Sequence, residues 1–301
     1  MGLTAGLDAD RRPATPVQVL VLSAGSWHRR PDQVVTEEPL EIRAGGPGQE
    51  PLPVAVTMRT PGHDFELAAG FLLSEGLIAP AGPEGSSSPG PPQVRAIRYC
   101  DLPPGEVQRY NIVSVTLTTP LDERSAERRR TVSTASCGLC GVATLADLER
   151  RCHPVAPGPV LPASLLLGLP EALRRSQRLF RRTGGLHAAG LFGPDGALVA
   201  LREDVGRHNA LDKLIGRALL DHQLPLAGHV VALSGRIGYE LVQKSALAGV
   251  PVIVAVGAPS SLAVATAHHL GITTVGFVRP GRANIYTHPE RVATEPGRCD
   301  S

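Results

Sequence analysis

Two cysteines separated by two residues, Cys137 and Cys140, form the part of the sequence that most directly suggests chemistry. Their spacing lets both sulfurs bind one metal ion, close a small disulfide, or act as an attacking and a resolving thiol. Each reaction uses the thiolate, which free backbone N–H groups at the start of a helix stabilise. Small residues surround the pair, in STASCGLCG at residues 133–141, and this composition is typical of an accessible loop.

A structural zinc ion would need more ligands than this pair supplies. The nearby candidates are Cys152 and His153, and adjacent residues rarely both point at one metal. A thiol pair without chemistry also fits the pattern, because unpaired cysteines are common in reducing compartments. We favour a reactive thiol or persulfide at Cys137 and Cys140, and we expect no metal site.

The composition limits the class of protein. With 301 residues, of which 42% are hydrophobic, the chain can bury a large core and is long enough for two domains. Its formal net charge of +2 gives no electrostatic reason to expect nucleic acid as a partner. Five scattered cysteines indicate a reducing compartment, and Pro259 interrupts the most apolar stretch, residues 250–267. We therefore expect a cytoplasmic protein that does not enter a membrane.

The first half of the chain, residues 17–150, has the pattern of an α+β domain that ends in the C-x-x-C loop. Apolar runs predict strands at residues 17–24, 34–43, 52–59, 94–101 and 111–119. One helix is predicted at residues 65–75, with Asp64 as its N-cap and Gly76 as its stop. Residues 1–16 have no apolar core of signal-peptide length, and we expect them to form a disordered tail.

The second half, residues 160–292, changes to alternating helices and strands. A helical pattern at residues 165–182 contains Pro170, which predicts a break or a fresh start inside that helix. A hairpin follows around GPDG at residues 193–196, and three helix–strand repeats come after it. This order predicts a layered α/β sheet, with residues 293–301 as a second tail.

Four turns of this half are predicted to meet at one edge of the sheet, because the carboxyl ends of parallel strands lie together. They combine backbone N–H groups with hydroxyl, arginine or histidine side chains, and they occupy residues 203–209, 234–238, 257–261 and 277–282. Phosphate oxygens need such donors, so we predict an anion or nucleotide site there. Structural roles stay open for Asp204 as an N-cap, Arg207 as a solvated helix-start residue and His187 as a core histidine.

A hairpin followed by three helix–strand repeats is the order of elements in cytidine-deaminase-like domains. Zinc deaminases carry His-x-Glu at the first helix after the hairpin and Pro-Cys-x-x-Cys at the next. Here those places hold His208-Asn209-Ala210 and SGRIG at residues 234–238, so the catalytic Glu and the thiol ligands are missing. The expected fold is an α+β N-terminal domain followed by an α/β three-layer cytidine-deaminase-like domain lacking the deaminase zinc site.

Eight ordered segments resemble one family, the formate dehydrogenase accessory sulfurtransferases of the FdhD/NarQ type. The segments upstream of the cysteine pair are EEPLEIR at residues 37–43, MRTPGHD at 58–64 and GFLLSEG at 70–76. SCGLCG at residues 136–141 contains the pair itself. The segments downstream are TGGLHAA at 183–189, REDVGRHNALDK at 202–213, SGRIGYELVQK at 234–244 and ANIYT at 283–287. So many segments in one order make the resemblance specific.

The resemblance implies delivery of sulfur. Such proteins accept persulfide sulfur from a cysteine desulfurase and pass it to the molybdenum or tungsten atom of the bis-molybdopterin guanine dinucleotide cofactor, before insertion into the formate dehydrogenase catalytic subunit. On this chain, Cys137 would hold the persulfide and Cys140 would assist or share it. The family also implies a homodimer. Its cofactor-binding stretch falls on Phe277, Val278, Arg279, Pro280, Gly281 and Arg282.

Within that stretch, Arg279 and Arg282 are the expected phosphate contacts, since guanidinium groups bind phosphate oxygens well. The second candidates at the same edge are Asp204, Arg207, His208 and Ser261. Two rival functions stay open. A cofactor-binding chaperone would not use the thiols, whereas a thiol–disulfide oxidoreductase would use the C-x-x-C motif, although the usual thioredoxin-like βαβ pattern around it is absent from the sequence.

Overall fold

The fold was obtained as a computed structural model, which describes residues 12–79, 93–100, 108–122 and 152–294. Among its described residues, the N-terminal half contains one helix, α1 (Asp64–Ser74). Its strands are β1 (Ala14–Ser23), β2 (Ser26–Val35), β3 (Glu38–Gly45), β4 (Leu52–Arg59), β5 (Val94–Tyr99) and β6 (Ile112–Leu117). Strands β1 and β2 pair as a separate ribbon, and the other four form a sheet in the order β4-β3-β6-β5.

The ribbon differs from the expectation for this part of the chain. Strand β1 begins at Ala14, so the last residues of the expected tail, residues 1–16, belong to a strand. The run predicted as one strand at residues 34–43 is divided between β2 and β3. Sequence reasoning missed most of β2, because its residues are largely polar and exposed and show no apolar alternation.

Helix α1 begins at Asp64 itself, so the prediction that Asp64 is its N-cap is wrong. The N-cap is His63, with a φ of 58°, and no described side chain caps the helix. The Asp64 carboxylate accepts hydrogen bonds from Arg59 Nε and Nη2 at 2.9 and 2.8 Å, and both side chains are fully buried. A buried guanidinium requires such a bidentate partner, and this need outweighs capping. The stop at Gly76 is confirmed, with a φ of 69°.

The C-terminal half contains five helices among its described residues: α2 (Ala163–Ser176), α3 (Arg178–Thr183), α4 (Arg207–Leu220), α5 (Tyr239–Leu247) and α6 (Ser261–His269). Its main strands are β8 (His187–Phe192), β9 (Leu198–Asp204), β10 (Val230–Leu233), β11 (Val252–Ala255), β12 (Thr273–Arg279) and β13 (Arg282–Thr287). The short strands β7 (Leu161–Pro162) and β14 (Val292–Ala293) pair with each other, and a 3₁₀ turn (Pro289–Arg291) precedes β14.

Pro170 lies inside α2 and does not break it, contrary to expectation. The break comes at Gln177, between α2 and α3. Leu166, Leu169 and Leu173 are buried along one face of α2 in a cluster with the central sheet. This packing continues on both sides of the proline and outweighs the one backbone hydrogen bond that proline cannot make.

The central sheet has six strands in the order β13-β12-β11-β10-β8-β9. Strands β10, β11 and β12 are parallel, and β8 joins antiparallel to both β9 and β10. Helix α2 packs on one face through Val230, Ala232 and their neighbours. Residues of α4, α5 and α6 pack on the other face, around Val231 and Leu233. The described residues therefore form a mixed α/β structure with helices on both sides of this sheet.

Helix α1 of the N-terminal half crosses α4 of the C-terminal half without room for side chains at the crossing. A Cβ atom at Gly70 would lie 1.8 Å from Asp212 O, and one at Gly216 would lie 1.8 Å from Glu66 O. One hydrophobic cluster contains residues of both helices and of both halves. No helix among the described residues is long and apolar enough to cross a membrane.

Candidate functional site

A cleft of about 790 Å³ opens at the edge of the central sheet where β10, β11 and β12 end. Residues after these strands form one wall, and α2, α3 and the start of β8 form the other. The apolar lining includes Leu173, Phe180, Leu186, Val256 and Val278. The polar lining includes Glu171, Arg174, Gln177, His187, Ser234 and Arg279. A volume of this size and a mainly apolar lining with a few polar groups are typical of small-molecule sites.

Three of the four predicted turns are bonded to one another beside this cleft. Phe277 N donates to Gly257 O at 3.1 Å, and Gly257 N donates to Gly235 O at 3.1 Å. A Cβ atom at Gly257 would lie 2.7 Å from Gly235 O, so the approach requires glycine at this position. The prediction that residues 234–238, 257–261 and 277–282 share one edge of the sheet is confirmed.

The stretch from Phe277 to Arg282 forms the end of β12 and the turn into β13. The Arg279 side chain lines the cleft, and its Nη1 donates to Val256 O at 2.7 Å and to Val278 O at 2.8 Å. These bonds fix the guanidinium at the end of β11, while Nε and Nη2 make no hydrogen bond to a described residue. Val278 and Pro280 also line the cleft. The side chains of Phe277 and Arg282 are exposed and are not part of the lining.

Asp204, in the fourth turn, is fully buried and does not line the cleft. Its Oδ2 lies 2.6 Å from Lys213 Nζ and accepts from Thr60 N at 3.2 Å. Its Oδ1 accepts from Gly206 N at 2.8 Å and from Asn209 Nδ2 at 3.2 Å. The N-cap of α4 is Gly206, so Asp204 is not the N-cap. With four donors on two oxygens, this carboxylate can hold the turn before α4 in place.

The other candidates for cofactor binding, Arg207, His208 and Ser261, lie close to this edge of the sheet but do not line the cleft. His208 Nε2 lies 2.9 Å from Glu240 Oε2 at the start of α5. Arg207 is the first residue of α4 and is half-buried. Ser261 is the exposed first residue of α6, whose N-cap is Ser260, with Oγ accepting from Ala263 N at 3.2 Å.

His187, for which the sequence left a core role open, is half-buried and lines the cleft. Burial is the main cause that lowers its pKa, the electrostatic effects of Arg207 and His208 act in the same direction, and Asp204 opposes them. The imidazole is therefore held neutral, with one nitrogen available as an acceptor. Gly235 makes room for it, because a Cβ atom there would lie 3.3 Å from His187 Nδ1.

Sequence reasoning missed the wall formed by α2 and α3. Arg174, Gln177 and Phe180 line the cleft from this wall, and the Arg174 guanidinium lies 5.6 Å from the centre of the Phe180 ring. The Glu203 carboxylate accepts from the backbone N–H groups of Leu179 and Phe180 at 3.0 and 2.8 Å, which fixes the start of α3. These residues carry no motif of their own, so only the folded chain brings them to the sheet edge.

Cys137 and Cys140 lie outside the described residues. Of the two cysteines that the structure describes, Cys152 is buried and Cys100 is partly exposed. No group of three or more His, Cys, Asp or Glu side chains suited to a metal ion occurs within the described ranges.

Comparison with known proteins identifies the family. The model of the FdhD/NarQ family matches residues 35–293. A protein of Streptomyces coelicolor is 47% identical over 281 residues, covering 92% of this chain and 94% of that protein. One of Mycolicibacterium paratuberculosis is 46% identical over 280 residues, covering 91% of this chain and 97% of that protein. Both are curated under the name sulfur carrier protein FdhD.

A solved structure gives the same result at the level of the fold. It is assigned as a formate dehydrogenase accessory protein from Desulfotalea psychrophila, and it superposes with a TM-score of 0.69 at 26% sequence identity. The match covers 94% of this chain and all of that one (100%). The family model spans most of the sequence, and the relatives align over nearly their whole length. This chain belongs to the FdhD/NarQ family.

Proposed function

We propose that this protein is a sulfur carrier that takes persulfide sulfur from a cysteine desulfurase and delivers it to the bis-molybdopterin guanine dinucleotide cofactor of formate dehydrogenase. The observation that carries the proposal is the similarity, over about nine tenths of the chain, to proteins named sulfur carrier protein FdhD. The C-x-x-C pair at Cys137 and Cys140 supplies the thiol chemistry that such a carrier needs.

The loading step is a thiol exchange without net oxidation. The Cys137 thiolate attacks the outer sulfur of the desulfurase persulfide, and a new S–S bond forms on Cys137. The S–S bond within the donor persulfide breaks, and the donor cysteine leaves as a thiolate. The outer sulfur keeps its proton, and the proton lost by the Cys137 thiol is taken up by the departing donor thiolate, so the step balances. Cys140 then assists or shares the bound sulfur. The protein acts in this step as a sulfurtransferase.

The cleft is the proposed binding site for the acceptor, which is a substrate of the transfer. Its volume suits a nucleotide-sized group, and its apolar walls suit a flat ring. Arg279 has donors left for phosphate oxygens, because its two bonds to the protein both use Nη1. The neutral His187 offers an acceptor from the opposite wall of the cleft. Arg282, on the exposed turn, would contact phosphates further out.

A cofactor-binding chaperone is the second candidate function, because the volume of the cleft and the donors of Arg279 would serve cofactor binding without any use of the thiols. In either case we propose a cytoplasmic protein whose C-terminal half has the cytidine-deaminase-like scaffold without its zinc site. We also propose a homodimer. The ribbon supports this, since Leu20, Leu22 and Trp27 are 59%, 59% and 66% exposed, and an isolated two-stranded ribbon is only marginally stable. Light scattering tests the stoichiometry.

Intact-mass measurement tests the carrier directly. The protein is incubated with a cysteine desulfurase and cysteine, alongside the variants Cys137→Ala and Cys140→Ala. We expect a gain of one sulfur atom that a reductant removes and that Cys137→Ala lacks. No gain in any form of the protein, with nucleotide binding retained, would contradict sulfur transfer and favour the chaperone.

A further inference from the structure

Gln177 has a buried side-chain amide nitrogen without a hydrogen-bond partner at the wall of the cleft. The residue is 4% exposed, and its Nε2 makes no hydrogen bond within the described part of the chain. It lies at the junction of α2 and α3 and contributes to the cleft lining. Burying an amide donor without a partner is unfavourable, and folded proteins rarely leave one in this state.

The backbone around Gln177 is fixed independently of its side chain. Gln177 N donates to Arg174 O at 3.3 Å, and Arg181 N donates to Gln177 O at 3.3 Å. The bonds from Leu179 N and Phe180 N to Glu203 hold the next turn. The structure therefore fixes the residue while its Nε2 donor stays unused within the described part of the chain, which is expected for a group that binds a ligand.

The side chains that line the cleft beside Gln177 define the shape of that ligand. Leu173 and Leu186 are buried and apolar, and Phe180 carries Arg174 over its ring. These surfaces suit a flat heterocycle, whose faces contact apolar groups while one edge needs hydrogen bonds. An amide offers a donor and an acceptor side by side, and guanine presents the matching pair at O6 and N1–H.

We propose that Gln177 is a specificity-determining residue of the cleft, which binds the edge of a guanine ring by donating from Nε2 and accepting at Oε1. This inference rests on the proposed function, since it assigns the guanine end of the acceptor to this wall. Phosphates attached to that ring then extend toward Arg279 at the opposite wall.

The test compares Gln177→Leu with the unaltered protein, using GDP as the probe in titration calorimetry and thermal unfolding without ligand. We expect GDP affinity to fall about tenfold to hundredfold, as for loss of a bidentate base contact. The unfolding temperature of the ligand-free variant should equal or exceed that of the unaltered protein, because the change removes an unpaired buried amide.

Gln243→Leu is the matched control. Gln243 is also buried, but its Oε1 accepts from Tyr239 Oη at 3.0 Å. This control should unfold at a lower temperature and bind GDP normally. A Gln177→Leu variant that unfolds earlier and keeps its GDP affinity would show a structural role and overturn the proposal.

Failure of GDP to bind the unaltered protein would also overturn the proposal. Persulfide loading, measured by intact mass, separates this outcome from failure of the carrier function. Loading that persists would leave sulfur transfer standing and remove only the assignment of guanine to this wall.

Discussion

Replacing Gly70 by alanine should strongly destabilise the protein, although alanine favours helix more than glycine does. The added Cβ would lie 1.8 Å from Asp212 O on α4, whereas ordinary contacts begin near 3.4 Å. The two helices must therefore separate by about 1.6 Å, the difference between these two distances. The atom in the way belongs to the backbone, so no side-chain rotation can relieve the overlap.

The free energy of unfolding should fall by about 3 kcal/mol, the upper end of the usual cost of overpacking. This figure is the net effect, because the better helix-forming preference of alanine offsets only about 1 kcal/mol of the cost of the overlap. With an unfolding entropy of about 2.1 cal/mol/K per residue, a loss of about 3 kcal/mol lowers the unfolding temperature by about 5 °C in a protein of this size. Circular dichroism during heating measures this shift.

Gly168→Ala provides the control, since Gly168 lies in α2 with no atom within 4 Å of the position of its Cβ. This substitution should stabilise the protein by about 0.5 to 1 kcal/mol through helix preference alone. The reasoning about the crossing would be refuted if Gly70→Ala and Gly168→Ala unfolded at the same temperature.

Two further predictions concern charged groups. Burial raises the pKa of Glu66, but hydrogen bonds from Arg202 and His63 outweigh it and lower that pKa to about 2. Because this pKa is depressed in the folded state, the stabilisation is present above about pH 4.5 and is lost as the pH falls toward 2. Glu66→Gln should therefore weaken the fall in the free energy of unfolding at acidic pH. An unchanged fall would contradict the lowered pKa of Glu66. Lys244→Met should cost about 3 to 5 kcal/mol in urea unfolding, because it leaves Asp212, 2.8 Å from Lys244 Nζ, buried without its cation. The double variant with Asp212→Leu should recover most of that loss, and equal stability of the single and double variants would argue against a buried pair.

Much of the C-terminal half could be predicted from the sequence. The helix–strand repeats expected after the hairpin are present, for example in strand Val230–Leu233 and helix Tyr239–Leu247. These elements are short apolar runs between glycine turns, so local pattern and final structure agree. The same alternation predicted that three turns lie at one edge of the sheet, and hydrogen bonds between these turns confirm it.

The predictions that were wrong depended on contacts between distant residues. Asp64 has the residue type of an N-cap, but Arg59 requires its carboxylate in the core. Pro170 suggests a helix break, yet packing of α2 on the sheet moves the break to Gln177. Gln177 had no local signal at all, because its importance comes from an amide left unpaired after folding. The local sequence indicates which structure a residue prefers, but contacts in the folded core determine the structure at these positions.

The crossing of α1 and α4 has a consequence for how this protein can be divided. Leu211, Leu214 and Ile215 of α4 share a buried cluster with Leu67 and Leu72 of α1, so cutting between the halves would expose a wide apolar surface on each. Neither half is a module that recombination could move intact to another protein. A rearrangement of the gene that keeps the cleft must therefore keep α1 of the N-terminal half as well.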